Sequence, residues 1–373
     1  MTKRVAFLAA NTAVPWGGSE ELWYQTATRM VKAGYDIAAS VEGWEPAVSQ
    51  IEALRRAGAD VHYRWYNRTI YHLLQFKLSK GSIHQRWLNR FSPDLAVISQ
   101  ASNIDGVEWM EACIARNIPF VTIAQAAAPN YWPSDDIAAR LAAAFQQSAG
   151  SFFVSQRNID LTATQIAADI PKAKVVRNPF NVSYNAAPTW PEPAEPLKLA
   201  CVGRLEPTSK GQDILFEVIS AQKWRERPLQ VTLYGKGLCQ ESLVRLKSMW
   251  KLDNVQFGSY VNNIEAVWEA HHGLILPSRY EGLPLAVVEA MLCARLCIVT
   301  DVAGNRELVE DNINGFIAAA PKVEFLDEAL ERAWQQRSRW YEMGQAAAKK
   351  VRACVPRDPI GAFVQQLEEL IKP

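Results

Sequence analysis

The chain has 373 residues, a length that suits about two domains of ordinary size. Apolar residues make up 49%, charged residues 21%, and 40 Lys and Arg against 39 Asp and Glu leave a net charge of +1. These values exclude disorder, collagen and a polybasic nucleic-acid binder as descriptions of the whole chain.

At the N-terminus, Met1-Thr2-Lys3-Arg4 and the apolar run Val5 to Ala10 have the outline of a signal peptide, but the run is short and Trp16-Gly17-Gly18-Ser19-Glu20 goes on to open an amphipathic helix. The run is therefore expected to be a strand. No apolar stretch approaches the roughly 20 residues of a membrane span, so export and membrane insertion are both disfavoured.

Short apolar or β-branched runs then alternate with helix-periodic segments: Arg4 to Ala10, Asp36 to Ser40, Leu95 to Ser99, Phe120 to Ala124, Ser151 to Val154 and Ala173 to Val176. Such alternation predicts parallel βαβ units. Within this half, Tyr63 to Phe91 interleaves Arg64, Arg68, Lys77, Lys80, Arg86 and Arg90 with Trp65, Tyr66, Tyr71, Phe76 and Trp87. That mixture suits an anionic membrane surface or an acceptor groove, and equally an amphipathic helix that packs its rings inward.

The alternation stops at Ser183 to Pro196, where Pro188, Pro191, Pro193 and Pro196 preclude a regular ladder. It restarts with Leu197 to Val202, Leu229 to Tyr234, Val255 to Phe257, Gly273 to Pro277, Cys297 to Thr300 and Gly315 to Ala318. The expected organisation is a first doubly wound domain over 1–182, a proline-rich linker over 183–196, a second doubly wound domain over 197–356, and a C-terminal helix within 357–373 that packs on one domain or crosses between both. Ligands of open parallel sheets sit at the carboxyl ends of strands, so two such domains facing each other predict a cleft.

The strongest chemical signal is Pro277-Ser278-Arg279-Tyr280-Glu281-Gly282-Leu283-Pro284-Leu285, continuing through Glu289 to Met291. A strand ends near Pro277, Glu281 and Gly282 occupy a loop, and Pro284 suits the first turn of a helix. The free N–H groups near Leu283 and Leu285, with the positive end of the helix dipole, form a ready anion site, for which a nucleotide diphosphate is the expected occupant. Glu289 lies between one and two turns further on, where a carboxylate can accept both hydroxyls of a ribose. It sits between Val287-Val288 and Ala290-Met291, a setting in which a charge needs a partner.

The two glutamates seven residues apart make this segment resemble the hallmark of glycosyltransferase family 4, the retaining group 1 glycosyltransferases of the GT-B fold, an α/β architecture of two doubly wound Rossmann-like domains facing across a cleft. Arg177-Asn178-Pro179, Val202-Gly203-Arg204-Leu205 with Ser209-Lys210-Gly211, Leu233-Tyr234-Gly235-Lys236-Gly237 and Asp301 to Val309 are similar to other segments of that family in the same order. In the first half, Gly17-Gly18 resembles the family's glycine loop, and Phe153-Val154-Ser155 a common strand-end serine.

The resemblance implies a retaining hexosyltransferase that moves a sugar from a UDP- or GDP-linked donor to a glycan, lipid-linked or small-molecule acceptor, with no cofactor. It further implies that Arg204 and Lys210 neutralise the diphosphate, that Glu289 holds the ribose, and that Glu281 contacts sugar hydroxyls. Arg204, Lys210 and Glu281 form the catalytic set. Gly17, Gly18, Gly235, Gly282, Leu283 and Pro284 complete the donor site. Fixed cations and N–H groups aimed at the departing phosphate stabilise the transition state more than the ground state.

Two departures stand out. Gln125 follows Val121-Thr122-Ile123-Ala124 on the acceptor side, where many family members carry a histidine, and Ala294-Arg295-Leu296-Cys297 replaces a turn of small residues. An amide cannot titrate, so the acceptor proton is expected to pass to the leaving phosphate. The competing readings are a non-catalytic nucleotide-sugar sensor or partner subunit and a nucleotide-sugar 2-epimerase. The five histidines show no ligand spacing and no D-x-D occurs, so no metal is expected, and the six cysteines never form CxxC. The cysteines read as reduced thiols of a cytoplasmic protein, with peripheral contact at the inner membrane surface, if any, through Tyr63 to Phe91.

Overall fold

The structure, a computed structural model, describes residues 2–12, 14–64, 80–192, 195–258, 261 and 263–371, with the backbone alone for 80–85. The chain divides into two compact units, Met1–Pro179 with Asp358–Pro373, and Phe180–Arg357.

The first unit is built on seven parallel strands: β1 Arg4–Ala9, β2 Asp36–Glu42, β3 Asp60–Arg64, β4 Leu95–Gln100, β5 Phe120–Ala124, β6 Gly150–Phe153 and β7 Ala173–Val175. Their order in the sheet is β3-β2-β1-β4-β5-β6-β7, so the winding reverses between β1 and β4. Side chains of β1 alternate between two cores, as a strand period of two requires. Val5, Phe7 and Ala9 face Trp23, Leu54 and the C-terminal Phe363 and Leu367. Ala6 and Leu8 face Trp87, Trp109 and Phe145. The strand β3 lies at the sheet edge and buries little, so its sequence Asp60-Val-His-Tyr-Arg64 carries no continuous apolar run.

Of the Tyr63 to Phe91 segment, Tyr63 and Arg64 end β3, with Arg64 buried, and the helix Lys80–Phe91 buries Trp87, Leu88 and Phe91 and exposes Arg86 and Arg90. Its rings face inward, the ordinary amphipathic arrangement; Trp65, Tyr66, Tyr71 and Phe76 lie outside the described residues. Among the described residues no helix is long and apolar enough to cross a membrane.

The second unit carries six parallel strands: β8 Leu197–Val202, β9 Leu229–Tyr234, β10 Val255–Phe257, β11 Gly273–Leu276, β12 Leu296–Thr300 and β13 Gly315–Ala318. The order β10-β9-β8-β11-β12-β13 repeats the plan of the first sheet, with its reversal between β8 and β11. One face packs Leu199, Cys201, Val231 and Ile298 against Trp224, Trp334 and Trp340.

The described part of the proline-rich stretch 183–196 belongs to the second unit as a strap. Trp190 meets Tyr341 and His272 edge-on at ring distances of 5.3 and 5.5 Å, and Arg352 donates to the carbonyls of Tyr184 and Ala186. Conversely, the helix Pro359–Leu370 belongs to the first unit. Asp358 caps it by accepting from Gly361 N, and Phe363 packs edge-on to Phe152 with ring centroids 5.0 Å apart.

The Ala294-Arg295 turn is rebuilt around a buried cation. Ala294 adopts a left-handed φ of 56°, and the guanidinium of Arg295 donates to the carbonyls of Trp268, His271, Cys293 and Thr189 while stacking 4.9 Å from the Trp190 ring. Burial pulls the Arg295 guanidinium down to about 10, which leaves it charged at neutral pH. Several converging carbonyl dipoles replace a counter-ion here.

Next to it, His272 extends the ladder between β8 and β11: its N–H donates to Lys198 O, and its Nδ1 accepts from Lys198 N at 3.0 Å. Burial pushes the imidazole down to about 4. The folded chain therefore keeps it neutral while the unfolded chain takes up a proton near the ordinary value of about 6.5, so its contribution, whole above that pH, is lost as pH falls towards 4. Wild-type stability should drop by about 2–3 kcal/mol more than that of His272→Asn between pH 7 and pH 4, because the amide keeps an acceptor without titrating. Urea denaturation of both chains at the two pH values measures the difference, and equal losses would remove His272 as its source.

Candidate functional site

The loops that leave β8, β11 and β12 in the second unit are stitched to one another at the carboxyl edge of the sheet. From the β8 side come the short helix Pro207–Lys210 and the helix Gln212–Ser220, joined at Gly211. Gly211 has a φ of 65°, and a Cβ there would stand 2.1 Å from the carbonyl oxygen of Pro277 at the end of β11. Only glycine satisfies both the left-handed backbone and that approach. Gly235, after β9, is under the same restriction: its φ is 147°, and a Cβ would fall 1.9 Å from Gly203 O.

With the backbones this close, side chains bridge the loops. Arg279 N donates to Ser209 O at 2.8 Å, while its guanidinium holds both carboxylate oxygens of Asp213 at 2.6 and 2.8 Å and Pro207 O at 2.7 Å. Burial alone would raise the Asp213 carboxyl, but the bidentate bonds from Arg279 leave it below the ordinary range.

Lys210 and Glu281 meet at the centre of this region. Their Nζ and Oε1 are 2.5 Å apart, with side chains 17% and 9% exposed. The hydroxyl of Ser278 donates to the same Glu281 oxygen at 2.7 Å, and Ser278 O in turn accepts from Thr300 Oγ1 at 2.6 Å. Gly304 N donates to Gly282 O at 3.0 Å, so the loop after β12 closes the third side.

Beside the pair starts the helix Leu285–Leu292, and no side chain caps it. Pro284 occupies the cap position, with ψ at 122°, one residue earlier than the first-turn place its sequence suggests. Val287 N donates to Pro284 O at 3.1 Å, while the amides of Leu285 and Ala286 have no acceptor within the helix, as is usual for a helix start. One turn in, Glu289 is 4% exposed, and its Oε1 accepts from both N and Nδ2 of Asn181 at 2.9 and 3.0 Å. Burial raises the Glu289 carboxyl, and the two bonds from Asn181 offset part of that rise.

The predicted site residues thus fall into separate groups. Lys210, Glu281, Gly282, Leu283 and Pro284 share one stitched region, with Glu289 on the helix that follows. Arg204 has a partner of its own: its side chain is 49% exposed and is salt-bridged to Glu206 at 3.2 Å. In the first unit, Gly17 is the N-cap of the helix Gly18–Lys32 with an extended φ of −163°, and a Cβ there would make only ordinary contacts at 3.7 Å. Nothing in the fold of that unit requires a glycine at 17.

Gln125, at the end of β5, is buried; its Oε1 accepts from Asn178 Nδ2 at 2.7 Å, and its Nε2 has no partner among the described residues. Ser155 caps the helix Gln156–Ile166 by accepting from Asn158 N. Among the described residues no group of three or more His, Cys, Asp and Glu side chains is placed to hold a metal ion.

Sequence reasoning missed Ser278, Asn181, Glu206 and Asp213. Ser278 lies inside a segment already singled out and Asn181 just beyond another, but which charges they serve depends on which strand ends adjoin.

Breaking a largely buried ion pair strands the remaining charge. Glu281→Gln and Lys210→Met should each lower stability by about 2 kcal/mol, and the double variant should lose at least about 1 kcal/mol less than their sum. Denaturant titrations of the four chains test this, and strict additivity would show that the two charges do not support one another.

Comparison with known proteins bears on the fold and on the second unit. Residues 196–336 match the family described as Glycosyl transferases group 1. An uncharacterized glycosyltransferase of Haemophilus influenzae is 32% identical over 126 residues, 33% of this chain and 35% of that protein. A poly(ribitol-phosphate) alpha-N-acetylglucosaminyltransferase of Staphylococcus aureus is 27% identical over 118 residues, 31% of this chain and 24% of that one. The matched stretches thus span about a third or less of these relatives. The crystal structure of Anabaena Alr3699/HepE with UDP-glucose superimposes with a TM-score of 0.76 at 16% identity, covering 98% of this chain and 99% of that one. The chain has the α/β GT-B fold of two Rossmann-like units, and its segment 196–336 matches the group 1 glycosyltransferase family.

Proposed function

We propose that the protein is a retaining glycosyltransferase of the family 4 type, which moves a hexosyl group from a UDP-linked sugar to a glycan or lipid-linked acceptor. The observation that carries this reading is the Lys210–Glu281–Ser278 cluster beside an uncapped helix N-terminus, inside the segment that matches the group 1 family. The UDP-glucose bound by the Anabaena structure supports uridine over guanosine, and the name of the Staphylococcus relative supports a polymeric acceptor.

On this reading the amides around Leu283 and Leu285, together with Lys210 and Arg204, take the diphosphate. Gly282 and Gly235 keep the loop backbones close, and Pro284 sets the start of the helix. Glu289 keeps Oε1 with Asn181 and presents Oε2 to the ribose hydroxyls. Glu281, held by Ser278, meets hydroxyls of the transferred sugar. Gly17 and Gly18 admit the donor to the backbone, and Gln125 serves the acceptor side as a hydrogen-bond donor.

The bond from the anomeric carbon to the phosphate oxygen breaks as the bond to the acceptor oxygen forms, and the acceptor proton moves to the departing phosphate. Charge grows on that phosphate, where cations and amides stabilise it most. No titratable group at position 125 is needed for this path, and an epimerase, which must move protons at the sugar ring, gains nothing from Gln125. The six cysteines are free thiols, which supports a reducing compartment, the cytoplasm.

Slow hydrolysis of UDP-glucose, UDP-galactose, UDP-N-acetylglucosamine and GDP-mannose without acceptor provides the first assay. One UDP-sugar should release UDP and free sugar with its anomeric configuration retained, as read by proton NMR. Glu281→Gln should slow that release by about 100-fold while UDP affinity in calorimetry changes less than about fivefold. Turnover at the wild-type rate would remove Glu281 from the chemistry, and absence of UDP binding in the wild type would remove the reading itself. Gly17→Ala should leave stability within about 0.5 kcal/mol and raise the donor KM by about tenfold, because only the ligand needs the missing Cβ. A fall in stability with unchanged KM would assign that glycine to the fold instead.

A further inference from the structure

A carboxylate offers four lone-pair positions, two on each oxygen. In Glu289, Asn181 takes both positions on Oε1, its backbone N donating at 2.9 Å and its side-chain Nδ2 at 3.0 Å. Oε2 accepts from no described residue. Glu289 is 4% exposed, and its neighbours Val287, Val288, Ala290 and Met291 on the same helix are buried and apolar. The carboxylate therefore keeps two open positions on one oxygen, in surroundings where an unfilled position costs free energy.

Asn181 is held in place independently of any ligand. It is the second residue of the second unit, and the chain that follows it is clamped to the Glu289 helix. Tyr184 Oη donates to Arg352 O at 2.8 Å, and Arg352 donates in return to Tyr184 O at 3.0 Å, Ala186 O at 3.2 Å and Leu292 O at 3.0 Å. Leu292 is the last residue of the Glu289 helix, so one guanidinium ties the strap and that helix together. Further along, Arg295 holds Thr189 O at 2.7 Å. Asn181 itself is exposed, and among the described residues its side chain bonds to Glu289 alone.

The count of open positions selects the ligand. The adjacent 2′ and 3′ hydroxyls of a ribose bring two donors to the two positions on Oε2. A 2′-deoxyribose brings one and strands the other position among apolar side chains, and a site built to bond a hydroxyl rejects the analogue that lacks it for that reason. With Oε1 open as well, the carboxylate could turn, take a single hydroxyl and leave the remainder to water.

We propose that Asn181 is a positioning residue that makes the donor site selective for ribonucleotides over 2′-deoxyribonucleotides, by filling Oε1 of Glu289 and leaving only Oε2 to the sugar. This rests on the glycosyltransferase reading, in which Glu289 meets the ribose.

Calorimetry of the full chain with UDP and with 2′-deoxy-UDP tests the assignment. The wild type should bind UDP about ten- to hundredfold more tightly than 2′-deoxy-UDP, the size expected of one hydrogen bond to a charged group. Asn181→Ala should weaken UDP about five- to tenfold and 2′-deoxy-UDP less than about twofold, because the carboxylate must then be ordered on binding. In a Glu289→Gln background the same substitution should change UDP affinity less than about twofold, since the two residues act as one unit. Circular dichroism controls for folding, and Asn181→Ser, which also withdraws the amide but stays polar, carries the test if the alanine variant does not fold. A residue that only supported the fold would weaken both nucleotides alike and would do so in the Glu289→Gln background too. Either result overturns the proposal, as does an unchanged ratio of affinities in the folded variants. Wild-type binding of UDP without preference over the 2′-deoxy form removes the positioning role and leaves the donor reading standing, whereas no UDP binding by the wild type removes both.

Discussion

Lys210 and Glu281 are 71 residues apart in the chain, yet they form one largely water-excluded ion pair, and the arrangement of the second unit's strand-end loops depends on it. Two such charges gain little over an apolar pair unless their remaining valences are satisfied. Here they are supported through backbone geometry. Gly211 brings the lysine loop against Pro277 O, Arg279 clamps the same loop through Ser209, Pro207 and Asp213, and Ser278 donates to the oxygen that Lys210 also uses. A Cβ at 211 would separate the loops by more than an ion pair tolerates. The glycine and the charges are thus parts of one constraint.

That constraint orients Glu281. Its Oε1 receives both the ammonium and the hydroxyl, which leaves Oε2 as the oxygen with room for a further partner. Glu289 repeats the device with a neutral partner: Asn181 occupies Oε1 through two N–H groups and fixes the carboxylate plane. In both cases one oxygen is committed to the protein before any ligand arrives, so the rotamer entropy is lost on folding rather than on binding. Pre-organisation of this kind is what an electrostatic mechanism demands.

Much of this architecture could be read from the sequence, for reasons that also explain the omissions. Interior parallel strands are buried on both faces and stand out as short apolar runs, and the edge strands β7 and β10 are legible from short runs that carry valine, whereas β3, also at an edge, reads Asp60-Val-His-Tyr-Arg64 and shows no such run. Glu281 and Glu289 could be found because a strand end, a loop and a helix start follow in immediate succession. Their partners could not, because Ser278 and Asn181 matter through adjacency of loops from different strands, and no local pattern encodes that. Proline content marked 183–196 as irregular but carried no sign that Trp190 would pack on Arg295 and His272. Likewise, the charge of Arg204 was plain, but its exposure and its partner Glu206 follow from the turn after β8.

The placement of the cations bears on how an uncharged residue at position 125 can suffice. Lys210 is neutralised by Glu281, and Arg204 is half exposed with Glu206 beside it, so neither confronts an entering diphosphate as a bare charge. A phosphate held by tempered cations and helix amides keeps more of its basicity than one gripped by two free cations, because each unshared positive charge nearby favours the deprotonated form. On the proposed reading, the leaving phosphate must be basic enough to take the acceptor proton as the glycosidic bond opens. Gln125, with its carbonyl engaged by Asn178 and its amide N–H turned to no described partner, has only a hydrogen-bond donor to offer. On that reading the carboxylate beside Lys210 leaves the proton to the departing group, and the amide at position 125 has no lone pair basic enough to compete for it.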